Sequence, residues 1–117
     1  MVKKTVQLFA DTLLQSLQTA EQAFLSQANG RTVCEIGKSG GESLQLKAAE
    51  GRMQALRDIE RIVRNTAGNA DELLHQLQQL DERWQQFSEI SASWEAYKNA
   101  GLAEIGSSLE AVEQFKN

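Results

Sequence analysis

The chain has 117 residues, 41% of them hydrophobic and 24% charged, with a formal charge of −4 and a pI near 5.0. That describes one folded domain, too apolar to be disordered and too acidic to attract nucleic acid or an anionic membrane through net charge. A single cysteine, Cys34, excludes a disulfide or a Cys-only metal site within one chain, and no apolar run approaches the roughly 18–20 residues of a membrane span.

Proline is absent, so long stretches are free to be helical. Glutamines such as Gln15, Gln18, Gln22, Gln76, Gln78, Gln79, Gln85 and Gln86 solvate helix faces without adding charge. The start carries two lysines and then apolar residues, but Gln7 and Asp11 interrupt the run and no small-residue cleavage site follows. It reads as a first helix and not as a signal peptide. A reducing cytoplasm is the expected compartment.

Apolar residues Val6, Phe9, Leu13, Leu17, Ala20 and Phe24 recur at steps of three and four, predicting an amphipathic helix over about 3–28. Asn29 and Gly30 stop it, since both tolerate the left-handed conformation that ends helices. A glycine-rich connection follows over 29–42. Thr32, Val33 and Ile36 allow a short extended piece there. That many extended residues reach roughly 45 Å, so the relative direction of the first two helices stays open.

A second helix is predicted over about 43–65, with Leu46, Ala49, Met53, Leu56, Ile59 and Val63 facing inward. Ala49 and Met53 suggest close approach of a neighbour, with Trp84 and Phe87 filling the space opposite. Thr66 to Asn69 forms a compact joint. Gly68 ends one helix and Asn69 caps the next, with Glu72 at capping-box spacing. So short a link makes these two helices antiparallel neighbours.

The third helix, expected over about 70–99, carries the heaviest stripe in the chain. Leu73, Leu77, Leu80, Trp84, Phe87, Ile90, Trp94 and Tyr97 follow at steps of 4, 3, 4, 3, 3, 4 and 3. Beyond Phe87 the apolar direction rotates by up to about 100° relative to Leu73, at 100° per residue. Leu73 to Phe87 is therefore expected to face the fold. Asn99, Ala100 and Gly101 look like a stop, and a short last helix is expected over about 102–115, with Ser107 and Glu110 as an alternative fresh start. A single helix from 70 to 115 would be roughly 69 Å long and would need a dimer to cover it.

Four motifs could carry chemistry, and each has a plainer reading. Glu72 and His75 have the Glu-x-x-His spacing of carboxylate-bridged metal bundles, but His75 lies about 160° from the apolar direction. Gly37 to Gly41 resembles a phosphate-cradling loop, yet Thr32 occupies the position of its first glycine. Arg57, Arg61 and Arg64 form a basic stripe, interleaved with Asp58 and Glu60 and lacking an aromatic to stack a base. Cys34 has no histidine nearby in sequence.

The sequence reading is thus an all-α antiparallel bundle of three long helices and a shorter C-terminal one. Its expected role is a non-enzymatic interaction module, an adaptor, chaperone or assembly factor working as a homodimer or with another protein. No catalytic, cofactor-binding or metal-binding residue is assigned. Ile90, Trp94, Tyr97, Leu102, Ile105 and Leu109 are the interface candidates, because aromatic residues concentrate at binding hot spots. The alternatives are a metal-binding protein or enzyme with a site shared across a dimer, and a nucleic-acid regulator, the least favoured partner class.

Overall fold

A computed structural model describes residues 2–28, 41–87 and 91–116. Among them are four helices and no strand: α1 Val2–Ala28, α2 Gly41–Thr66, α3 Ala70–Gln85 and α4 Ala92–Lys116. The fold is the expected all-α bundle, elongated to 50 × 27 × 20 Å. The extended piece at 31–36, Cys34, the loop at 37–40 and Ile90 lie outside the described residues.

Side-chain pairings set the directions of the helices. Arg57 of α2 meets Glu21 of α1, while Val6 and Leu13 of α1 share a cleft with Val63 and Gly68 at the far end of α2. These two helices are antiparallel. Phe87 and Trp84, late in α3 or just beyond it, meet Tyr97 early in α4, so this pair is antiparallel as well. Lys47 lies against Trp94, and Arg52 pairs with Glu104, so α2 and α4 run the same way. Among the described helices these two are the most extensively packed against each other.

At one close approach of two helices a side chain is missing. A Cβ on Gly51 of α2 would overlap the Tyr97 carbonyl, lying 2.8 Å from its carbon and 2.9 Å from the Tyr97 Cα. Only glycine lets the two backbones meet there. This approach is made at Gly51, which lies between Ala49 and Met53 and which the size argument had passed over. Leu56, Ile59, Leu73, Leu77, Ile105 and Val112 fill the centre and are fully buried.

The joint between α2 and α3 follows the sequence with two refinements. Ala67 and Gly68 both take positive φ, 49° and 83°, so a residue with a side chain shares the left-handed turn. Asn69 caps α3 by accepting the Glu72 N–H at 3.1 Å. The Glu72 carboxylate does not return to Asn69; it accepts from Gln76 instead, while the Asn69 N–H donates to the Thr66 carbonyl. Only half of the capping box forms.

The third helix ends earlier than expected. It stops at Gln85, where the Gln86 and Phe87 amides donate to the Arg83 and Trp84 carbonyls in tightened final bonds. The chain starts again at Ser91, whose hydroxyl accepts the Trp94 N–H at 3.4 Å and whose carbonyl accepts the Glu95 N–H. Gly101 breaks nothing. It sits inside the 25-residue α4, and a Cβ there would strike the Trp84 indole ring. The expected boundaries at 99 and 102 are therefore corrected, and the short helix is α3, with 16 residues, not the last one. The reason is packing: Gly101 is a socket for Trp84, and its helix-ending tendency is overridden.

Candidate functional site

The break between α3 and α4 builds the most distinctive surface of the molecule. In one unbroken helix Trp84 and Tyr97 would lie roughly 20 Å apart along the axis. Turned back on itself, the chain stacks their rings at 5.3 Å with 9° between planes. Phe87 and Trp94 both meet Tyr97 edge-on, at 5.9 and 5.2 Å, and Phe87 meets Trp84 the same way at 5.0 Å. Edge-to-face and offset geometries suit the ring quadrupoles, so the cluster is held in one arrangement. The Lys98 ammonium donates to the Phe87 carbonyl at 3.3 Å and ties α4 to the connection.

The four rings are covered unequally. Trp84 is buried and Tyr97 half-buried, whereas Phe87 is 44% and Trp94 39% exposed. Helix α2 supplies the other side. The Lys47 ammonium stands 4.3 Å from the Trp94 ring centroid and 6.0 Å from that of Tyr97. It also lies 3.2 Å from Glu50 Oε2, a buried oxygen that has this ion pair but no aligned hydrogen bond. Burial raises the Tyr97 phenol above its usual pKa, and the charges of Glu50 and then Asp58 push the same way.

The predicted interface residues fall in different places. Trp94 is at the surface and Tyr97 behind it. Leu102 and Leu109 are half-buried against the core, and Ile105 is fully enclosed by its own chain. Burial in the monomer leaves Ile105 nothing to offer a partner. Phe87, assigned to the fold from its phase, is one of the exposed rings. Lys47 and Glu50 were not singled out in the sequence, although their i,i+3 spacing beside Gly51 marks one face of α2.

The other motifs find ordinary surroundings. His75 and Glu72 are exposed, and among the described residues no three His, Cys, Asp or Glu side chains gather as metal ligands. Arg57 pairs with Glu21, Arg61 with Asp58 and Arg64 with Glu60, so each arginine of the basic stripe has a carboxylate partner. The last two lie within α2 at i,i+3 and i,i+4 spacing, whereas the pair with Glu21 joins two helices. No described helix is long and apolar enough to cross a membrane. No family model, curated protein or solved structure matches the chain.

Proposed function

We propose that this protein is a non-enzymatic interaction module, an adaptor, chaperone or assembly factor, and that it binds a second copy of itself or another protein through the corner formed by Phe87 and Trp94. One observation carries the reading. Two large rings are exposed although they belong to a four-ring cluster whose other members are buried or half-buried. Rings already held in place lose little freedom on binding, and a rigid aromatic anchor is the usual centre of a binding hot spot.

Trp94→Ala should abolish assembly, measured by light scattering and sedimentation, while far-ultraviolet circular dichroism stays unchanged. A wild-type chain that is strictly monomeric, binds no ANS and captures no protein would defeat the proposal. Loss of helicity in Trp94→Ala would reassign the ring to the core.

A further inference from the structure

We propose that the cleft between α2 and α3 is a binding site for a small apolar monocarboxylate, a free aliphatic or aromatic acid. The cleft has a volume of about 530 Å³, within the usual range for small-molecule sites. Polar and apolar residues share its lining: Ile62, Leu80 and Trp84 lie buried at its base, and exposed Phe87 forms an apolar wall. Two guanidinium groups border it from different helices, Arg61 of α2 and Arg83 of α3.

The charge balance names the ligand. Arg83 has no carboxylate partner among the described residues. Arg61 has only Asp58, at 3.7 Å, against 2.8 Å for the Arg64–Glu60 and Arg52–Glu104 pairs. Asp58 is further satisfied by the Gln54 amide at 3.0 Å. Among the described residues, two positive groups therefore border the cleft with one negative group, in a chain whose net charge is −4.

A guanidinium fork matches a carboxylate in two parallel hydrogen bonds, and the amide of Asn65 in the same lining can add a third. An inorganic anion would leave the exposed Phe87 wall uncovered. A neutral apolar molecule would leave Arg83 unused. The cleft between α1 and α2, about 500 Å³, provides the contrast: the arginine in its lining, Arg64, is already closed onto Glu60.

The site can be tested on the full chain by calorimetric titration with octanoate, octanol and acetate. Octanoate should bind saturably. Octanol, with the tail but no charge, and acetate, with the charge but no tail, should each bind at least about tenfold more weakly. Arg83→Gln should weaken octanoate binding about tenfold, with folding checked by circular dichroism, and Arg64→Gln should leave it unchanged. A parallel titration with 2-naphthoate covers an aromatic body. Equal binding of octanol and octanoate, unaltered binding in Arg83→Gln, or no binding of either acid at millimolar concentration would overturn the proposal. Phe87 belongs to both surfaces but Trp94 does not line this cleft, so Trp94→Ala should lose assembly and keep octanoate binding, whereas Arg83→Gln should do the reverse.

Discussion

Helices α1 and α4 are nearly equal in length, 27 and 25 residues, yet they are held in opposite ways. Helix α4 is met on both sides at the site of a missing side chain. Gly51 lets α2 reach the Tyr97 backbone, and Gly101 lets Trp84 of α3 settle onto α4 itself. Helix α1 contains no glycine. It buries Val6, Leu13 and Ala20, but Leu8 and Leu25 are each 67% exposed, and it borders a cleft against α2 and a smaller one of about 180 Å³ against α4. Both helices carry apolar side chains at three-four spacing. Apolar spacing chooses a face, and the size of the smallest residues decides how closely that face can be approached.

The contrast can be broken most sharply at Gly51. Gly51→Ala should destabilise the protein by about 3 kcal/mol in urea denaturation, because the new methyl meets a backbone carbonyl that cannot rotate away. The gain in helix propensity, about 1 kcal/mol, offsets only part of the overlap. A neutral result would mean that α2 and α4 are not in backbone contact.

Two glycines on one helix make a finer test. Gly101→Ala should cost about 1–3 kcal/mol as the Trp84 ring is displaced. Gly106→Ala, where an added Cβ meets nothing within 4 Å, should instead stabilise by about 0.5–1 kcal/mol. Equal effects of the two substitutions would show that Gly101 is not a socket. The smallest effect belongs to α1. Leu8→Ser and Leu25→Ser should each change stability by no more than about 0.5 kcal/mol. A loss above about 1 kcal/mol at either position would mean that a leucine exposed in this structure is covered in solution.

Much of the architecture was legible. Of the inward positions predicted for α2, Leu46, Met53, Leu56, Ile59 and Val63 are buried, and Ala49 is half-buried. Asn69 caps α3 as expected, and the short joint before it makes α2 and α3 neighbours. The end of α3 was misplaced although a signal was present. The rotation of the apolar direction beyond Phe87 looked like one helix burying two faces, when it marks the point where the helix stops. Ser91, followed by Glu95 in the first turn of α4, was the cap that should have competed with Asn99 and Gly101.

The candidate site was half legible for the same reason. Trp94 and Tyr97 could be picked out as a rotated aromatic patch. Their partners could not, because Lys47 and Glu50 lie on another helix, and Trp84 meets Tyr97 only because α3 and α4 pack against each other.

By itself the sequence determined which faces turn inward, since the helical period is a property of the backbone and the preference for burial is a property of each side chain. It also determined the α2–α3 joint, where Gly68 and Asn69 act on their immediate neighbours. Only the tertiary structure decided what Gly51 and Gly101 are for. A glycine in a helix has two opposed meanings, a place to stop or a space to fill, and the choice depends on whether another chain segment arrives to occupy it. Here the Tyr97 backbone and the Trp84 ring arrive, and both helices continue through.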